Sequence, residues 1–262
     1  RVNDNIEIVA GTQYNKFYGT DIGRYYLNYA GVDSNLYNDE PFGSEDGLAA
    51  MSATTLVEYT NHYEKQDVVV QFDNVADLPG GSVQALVGVE QIENRYSAEY
   101  DKHSEGGLVG GSAGNPGFGN RTIDSIFGEV LLPVMDNLEV TASFRRDDYS
   151  DVGEADSFKL GALWTPVEGT VVKFNTGEGF RAPTMDDLYG ATTFSANTAT
   201  DYVACAAAGV SAADCSSKQI STLITANPNL GPETSEGFTM SVEQDMGMLV
   251  DALDGLTVRF DY

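Results

Sequence analysis

Strict two-residue alternation of apolar and polar side chains recurs in segment after segment of this sequence. Near the C-terminal end, Leu256, Val258 and Phe260 alternate with Thr257 and Arg259. A period of two places the two sets on opposite faces of a β-strand. Because turn residues separate the alternating segments, the pattern predicts an all-β protein whose strands each have one apolar face.

The alternation predicts about nine strands, the last of them short. Their polar faces are often charged, and several strands reach the roughly 9–11 residues that cross a bilayer at a tilt. Strands of soluble proteins average about 5–6 residues. The second strand is long enough that an interruption is expected, and residues 47–56 are also compatible with a helical turn. The predicted strands are 5–18, 56–76, 82–97, 122–134, 137–149, 156–166, 170–181, 235–246 and 256–262.

The connections between these strands alternate between short and long. Short turns are predicted near residues 77–81, 133–137, 166–169 and 247–255, and long connections at about 20–53, 101–121, 150–156 and 182–234. Outer-membrane barrels have this asymmetry, with short periplasmic turns and long extracellular loops, and bacterial barrels close with even strand numbers. The sequence therefore predicts an antiparallel up-and-down transmembrane β-barrel, incomplete at about nine to ten strands, as a single partial domain over residues 1–262.

The charge balance excludes one class of partner. Forty acidic residues against 14 basic ones give a formal net charge of −26, which opposes binding to nucleic-acid phosphates. No run approaches the roughly 20 apolar residues that a membrane-spanning helix needs. Acidic residues crowd the first long loop, where solvated charge and a divalent ion are both open readings, although no metal site or cofactor is predicted. These residues are Asp33, Asp39, Glu40, Glu45 and Asp46.

The two cysteines, Cys205 and Cys215, lie ten positions apart in a segment of small residues. Two free buried thiols are one reading. A disulfide that closes a local loop is the favoured one, because the flanking residues are typical of a loop and no histidine or second cysteine pair offers a zinc site. The Cα atoms are then expected about 4.4–6.8 Å apart.

Several phrases, in this order along the chain, resemble the conserved barrel region of TonB-dependent receptors. The resemblance extends from Phe127 to Glu236, and a looser match begins near residue 70. The prolines of these phrases cannot donate a ladder hydrogen bond, so they belong where strands end and loops begin. The phrases are GEVLLPV at 128–134, RRDDYS at 145–150, FKLG at 158–161, WTP at 164–166, GEGFRAP at 177–183 and NPNLGPETS at 227–235.

This resemblance implies active import of a scarce nutrient across the outer membrane of a Gram-negative bacterium. The nutrient would be a ferric siderophore, cobalamin or an oligosaccharide. The implied partners are outer-membrane lipid and lipopolysaccharide, a plug domain of the parent chain, the TonB energy-coupling protein through that chain, and the small nutrient ligand. The sequence shows neither a plug nor a coupling motif, so transport is expected of the parent protein and not of this segment alone.

The candidate ligand-facing residues lie at the extracellular end of the strand that ends at Arg181. Inward parity directs the Arg181 guanidinium towards the lumen near Asp186 and Asp187, with Tyr189 as a further candidate. A structural salt bridge and a ligand contact are both open readings.

Parity also assigns faces to other residues of the strands. Gly177 and Gly179 fall on the inward parity, where a missing side chain permits either a close approach or a bend in the wall. Arg146 falls on the outward parity beside acidic residues, so it is expected beyond the hydrocarbon edge. Trp164 suits the periplasmic aromatic girdle of a barrel.

Two rival functions are weighed against this prediction. Catalysis has only His62 and His103 as near-neutral bases, with no nucleophile elbow beside them, so no enzyme is predicted. A soluble extracellular β-sandwich that binds carbohydrate is the alternative, and it requires the row of Leu138, Val140 and Phe144 to be buried against a second sheet.

Overall fold

The computed structural model describes residues 1–110, 114 and 116–262, with the backbone alone at residues 194–196 and 221. Most of the chain forms one antiparallel sheet of nine strands, in which the order across the sheet follows the order along the chain. The strands are β1 (Ile6–Leu27), β2 (Ser52–Phe72), β3 (Asp77–Leu78), β4 (Gly81–Ser82), β5 (Gln84–Tyr100), β6 (Gly117–Met135), β7 (Leu138–Tyr149), β8 (Gly153–Trp164), β9 (Thr170–Arg181), β10 (Thr193–Ala199), β11 (Lys218–Ile224), β12 (Glu233–Asp245) and β13 (Thr257–Asp261).

The remaining strands and the helices are short and lie in the connections. β3 pairs with β4 in a turn, and β10 pairs with β11 in a long loop. No helix among the described residues is long and apolar enough to cross a membrane. The helices are α1 (Tyr29–Tyr37), α2 (Glu45–Ala50), α3 (Lys102–Glu105), α4 (Met185–Tyr189) and α5 (Tyr202–Ala207), with single 3-10 turns at Met246–Met248 and Asp251–Leu253.

All nine predicted strands are present in the large sheet, and neighbours in the chain are neighbours in space. Within the described residues β1 and β13 each pair on one side only, so this up-and-down sheet is an incomplete barrel. The β-sandwich alternative is wrong, because the other sheets are two-stranded ribbons and Phe144 is 44% exposed.

The register separates the two faces of the sheet. One row of paired residues, Leu132, Val140, Ala162, Phe174 and Met240, crosses five strands on what we call the apolar face. Its side chains are only partly covered, as in Phe174 at 38% exposed. The protein therefore presents an apolar surface that its own described residues do not bury.

A second row, three residues along each strand from the first, lies on the opposite face, which we call the polar face. It pairs Glu129, Ser143, Lys159, Gly177 and Gly237 across the same five strands. The last strand follows the same rule, because its register places Val258 and Phe260 on the apolar face and Arg259 on the polar face, as the sequence predicts.

The apolar surface is confined to the half of the sheet near the short turns. Towards the long loops, the same face carries charged residues, such as the paired Asp124, Asp148 and Glu154. The apolar residues thus form a belt, and the strands continue beyond it.

Four details of the sequence prediction are corrected by the structure. β1 continues to Leu27, and β2 is a single strand of 21 residues from Ser52. Neither face of these extensions is consistently apolar, so hydrophobic alternation gives no signal there, although the pairing of β1 with β2 continues from Thr20 opposite Glu58 to Leu27 opposite Ser52. The connection at 150–156 is short, because β8 already begins at Gly153. The loop at 182–234 contains the β10–β11 ribbon.

Candidate functional site

The polar face carries a helix at the long-loop end of the sheet. α4 packs against the inner positions of β6, where Gly117 and Gly119 provide no side chain. A Cβ atom on Gly119 would lie 2.9 Å from the Cβ atom of Met185, which is closer than real Cβ contacts. Met185 and Leu188 are buried, with Leu188 only 2% exposed. The two glycines therefore form a seat for α4 on the polar face.

Arg121, two residues beyond this seat, holds three other elements. Its Nε atom donates to both carboxylate oxygens of Asp151 at 2.9 Å, and an Nη atom donates to the carbonyl oxygen of Pro183 at 2.8 Å. The guanidinium also lies 5.6 Å from the centre of the Tyr149 ring. The Arg121 and Asp151 side chains are 10% and 5% exposed. We call this buried pair the clasp.

The side chains of α4 are fixed by neighbours on the same face. Asp186 interacts with the hydroxyl of Tyr96 and Tyr189 with the carboxylate of Asp151. Desolvation raises the pKa of Tyr189, and the charge of Asp151 raises it further, so the phenol stays a neutral hydrogen-bond donor.

Asp187 is the third residue of α4, and its side chain does not face the sheet. Its carboxylate accepts from the Thr184 hydroxyl at 2.6 Å and from the Thr184 backbone N–H at 3.2 Å. These bonds, the hydroxyl first, lower the pKa of Asp187. Asp187 is therefore the acidic member of a capping box.

Arg181 forms a salt bridge with the neighbouring strand. Its guanidinium donates to Glu233 at 3.1 Å, and the two side chains are 76% and 69% exposed. Beside the two Thr184 hydrogen bonds, the charge of Arg181 also lowers the pKa of Asp187, so Arg181 lies near that carboxylate while its ion-pair partner is Glu233. Ligand contact by Arg181, Asp186, Asp187 and Tyr189 stays a prediction.

An aromatic patch lies on the polar face of β1, β2 and β5, beside α4. The rings of Phe17 and Tyr59 stack with centres 5.9 Å apart, and the Tyr59 ring covers Gly19, where a Cβ atom would lie 2.1 Å from it. Together with Tyr96 and Tyr100 they line a cavity of about 380 Å³. Such rings offer flat apolar faces with hydroxyl groups at their edges.

Nearer the belt, the polar face holds a charged network. Glu90 pairs with Lys65 and, at 2.7 Å, with Arg145, which also binds Asp147 at 2.8 Å. Ser125 donates to Asp147 at 2.5 Å. The Glu90 side chain is 8% exposed, so two cations compensate for its burial.

The glycines of the GEGFRAP phrase are covered by side chains of neighbouring strands. A Cβ atom on Gly177 would lie 2.8 Å from Cγ of Lys159, and one on Gly179 would lie 2.5 Å from Oγ of Ser235. Side chains of neighbouring strands thus occupy the space above both glycines, while a close approach by another backbone or a lumen-filling domain and a bend in the wall both stay predictions. A cavity of about 530 Å³ extends over this part of the polar face.

The long loops are joined to one another by hydrogen bonds. Asn28 forms an isolated bridge with Val109, and the Ala191 N–H donates to Pro116 at 2.9 Å. In the loop before β11, Cys205 and Cys215 form a disulfide with Cα atoms 5.9 Å apart, inside the predicted range.

On the outer side, Arg146 and Trp164 lie where parity places them. Arg146 faces the apolar side above the belt and pairs with Asp156 at 2.7 Å. Trp164 lies on the same face at the short-turn end and is 46% exposed.

Within the described part of the chain, the two histidines have no carboxylate oxygen within hydrogen-bond reach. The nearest carboxylate oxygen to His62 is that of Glu64 at 4.0 Å, and the nearest to His103 is that of Asp101 at 3.8 Å, both beyond hydrogen-bond reach. Across residues 1–110, 114 and 116–262, no group of three or more His, Cys, Asp or Glu side chains could hold a metal ion. The acidic residues of the first loop are therefore not gathered into a metal site.

The sequence did not predict Arg121, Asp151 or Tyr96 as site residues. Arg121 does leave a signal, because it shares the polar parity of β6 with Gly117 and Gly119. Alternate glycines followed by an arginine on one parity indicate a wall against which another segment packs.

Comparison with known proteins adds a family and a set of related folds. The family model described as TonB dependent receptor-like, beta-barrel, matches residues 2–262. No curated protein sequence matches the chain.

Solved structures share the fold at low sequence identity. A double mutant of the ferric enterobactin receptor PfeA from Pseudomonas aeruginosa has a TM-score of 0.57 at 18% identity, over 98% of this chain and 32% of that one. Another structure of PfeA reaches 0.61 at 16% identity, over 97% and 32%. The RagAB peptide importer has 0.50 at 12% identity, over 92% and 26%. The chain thus spans about a third of the length of the receptors that it matches first.

Proposed function

Because this chain belongs to the TonB-dependent receptor-like β-barrel family, we propose that it is part of the barrel wall of an outer-membrane receptor that captures and imports a scarce nutrient. The observation that carries the proposal is the separation of the two faces. An unburied apolar belt lies on one face, and glycines, charged networks and the seated helix α4 lie on the other. That division is what a wall between lipid and a polar lumen requires.

On this proposal the belt contacts outer-membrane lipid, and the charged outer positions above it lie at the level of lipopolysaccharide. The short turns are periplasmic and the long loops extracellular. The polar face then lines the lumen, where the plug domain of the parent chain and, at the extracellular end, the ligand are its partners. Coupling to the TonB protein takes place through the parent chain. The cellular location is the outer membrane of a Gram-negative bacterium.

The ligand-capture region is the extracellular half of the polar face. It combines the aromatic patch with α4, and Arg181, Asp186, Asp187 and Tyr189 are its ligand-facing candidates. Of the first matched structures, PfeA is named as a ferric enterobactin receptor, and we propose a ferric siderophore as the nutrient to test first. Receptors of this kind are importers, so the proposed activity is transport and not catalysis.

The test uses the native receptor that contains this segment. We expect peptides of this sequence in the outer-membrane fraction, on a polypeptide with an intact mass far above the 28.1 kDa of the segment. Deletion of the gene should abolish the energy-dependent uptake of one class of iron-labelled chelate, and restoring the gene should return it. A native mass near that of the segment, or unchanged uptake of catecholate, hydroxamate and carboxylate chelates, would contradict the proposal.

A further inference from the structure

The clasp is a buried ion pair on the proposed lumen side of the wall. It brings together three parts of the chain: Arg121 from β6, Asp151 with Tyr149 from the end of β7 and the turn that follows, and Pro183 from the segment before α4. A buried ion pair contributes little net stability compared with apolar packing, because both charges lose their hydration. A role in fixing geometry explains its presence better.

The geometry that it fixes is that of α4. Arg121 binds the carbonyl oxygen of Pro183, two residues before the first residue of the helix, and the charge of Asp151 acts on the phenol of Tyr189 at the end of the helix. The segment that leads into α4 is thus tied directly to the buried pair. The planar guanidinium suits this task, because its fork directs several donors at fixed angles.

The seat and the clasp act on the same segment from two sides. Gly117 and Gly119 admit α4 to the polar face, and Met185 fills the space above Gly119. Asp186 is then directed towards Tyr96, which also lines the aromatic patch. The clasp therefore determines how α4 meets the aromatic patch.

We propose that Arg121 is a positioning residue for ligand capture: with Asp151 it holds α4 inside the mouth of the lumen, so that α4 and the aromatic patch form one continuous capture surface. This inference rests on the proposed function for two points, that the polar face lines a lumen and that a ligand is captured there. The retention of α4 by the clasp is independent of any ligand.

The experiment measures amide hydrogen exchange over residues 184–190 in the full-length receptor without ligand. We expect Arg121→Gln to accelerate this exchange by about tenfold or more, because hydrogen bonds to a charged group are lost. Arg146→Gln is the matched control: it removes an arginine with two short bonds to a carboxylate, Asp156, on the apolar face. It should leave exchange at 184–190 unchanged.

A second variant tests the seat without removing a charge. Gly119→Val places a side chain where Met185 lies, and a β-branched residue is favourable in a strand, so β6 itself should persist. Exchange over residues 184–190 should again rise, while exchange over β6 should not. Wild-type exchange in both Arg121→Gln and Gly119→Val would overturn the retention of α4.

The capture role is measured by titrating each receptor with ferric enterobactin as the probe. We expect Arg121→Gln to weaken binding about tenfold and Arg146→Gln to leave it unchanged. Faster exchange with unaltered binding would overturn the capture role. A wild-type receptor that does not bind this probe would refute ferric enterobactin as the ligand, and the exchange result would then decide the clasp by itself.

Discussion

Arg145 and Arg146 are neighbours in the sequence but belong to two different surfaces. Arg145 faces the polar side and binds Glu90 and Asp147 among closely packed side chains. Arg146 faces the other side, where it pairs with Asp156 and both side chains are 47% exposed. One residue step therefore separates an internal charged network from an outer ion pair.

This difference shows that charged side chains have different surroundings on the two faces of the sheet. The polar face holds charges that have several partners, as in the Glu90 network and the clasp, although Arg181 at its loop end has Glu233 as a single ion-pair partner. The outer face changes with height, because it is apolar beside the short turns and charged towards the loops. A change of solvent along the strand axis, from lipid to water, accounts for that division.

The largest effect is expected from placing a charge in the belt. Ala142 lies in the belt between Val130 and Leu160, and Ala142→Arg should destabilise the full-length receptor in lipid by about 2–4 kcal/mol, the cost of an arginine near the bilayer midplane. Urea titration of the receptor folded in vesicles measures this free energy.

The control for this variant is the adjacent residue on the polar face. Ser143→Arg adds the same side chain opposite Glu129, where water and a carboxylate receive it, so the loss should be under about 1 kcal/mol. Equal losses for the two variants would mean that the belt does not contact lipid.

The second effect compares the two neighbouring arginines directly. Arg145→Gln leaves Glu90, whose side chain is 8% exposed, with Lys65 as its remaining cation, and should cost about 2 kcal/mol. Arg146→Gln removes an exposed pair and should cost under about 1 kcal/mol. The same urea titration separates them. A larger loss for Arg146→Gln would contradict the division of the faces.

The strands near the belt are predictable from the sequence, because each of them has an apolar face and a polar face. β7 and β9 were located to within a residue, at Leu138–Tyr149 and Thr170–Arg181. Alternation gives no signal where apolar and polar residues are mixed on the same parity, as with Ile22 and Arg24, and so it does not predict the extension of β1 to Leu27. The β10–β11 ribbon is not predicted either, and it lies inside the long connection as a two-stranded sheet separate from the large one.

The candidate site was only partly predictable, because parity gives the direction of a side chain but not its partner. Arg181 was placed on the correct face, yet its partner Glu233 is 52 residues away in the sequence. The clasp joins Arg121 to Pro183 over a separation of 62 residues. Only the register of the sheet and the fold of the loop bring such residues together.

A smaller effect is expected in the connection between β5 and β6, which contains α3. Asp101 is the N-cap residue of α3. Burial by itself would raise the pKa of its carboxyl group. Hydrogen bonds from the Leu56 N–H, the Ser104 hydroxyl and N–H and the His103 N–H outweigh burial and lower this pKa below 3.8. A carboxyl group whose pKa is lowered in the folded state contributes stability that is present above pH 3.8. This stability is lost as the pH falls through the lower pKa of the folded state.

Hydrogen exchange over residues 102–106, corrected for the intrinsic effect of pH, should therefore be constant above pH 3.8 and rise below it, with about 1 kcal/mol of local stability lost, as for a helix cap. Asp101→Asn retains the capping oxygen and does not titrate, so its exchange should not follow this curve. Identical pH curves for the two proteins would refute the role of the Asp101 charge.

The smallest effect on the wall is expected from the disulfide, because Cys205 and Cys215 enclose a local loop in the connection between β10 and β11, outside the large sheet. Replacing both by serine frees the segment around α5, so limited proteolysis should cleave it faster. The free energy of unfolding of the receptor should change by less than about 0.5 kcal/mol, since the change lies outside the sheet. Comparing reduced wild-type receptor with the double serine variant controls for the substitution itself. Opening the disulfide could instead lower the stability of the whole receptor as much as Ala142→Arg does. That result would mean that the loop between β10 and β11 stabilises the sheet, and that the contrast between the two faces of the sheet does not account for the stability of the receptor.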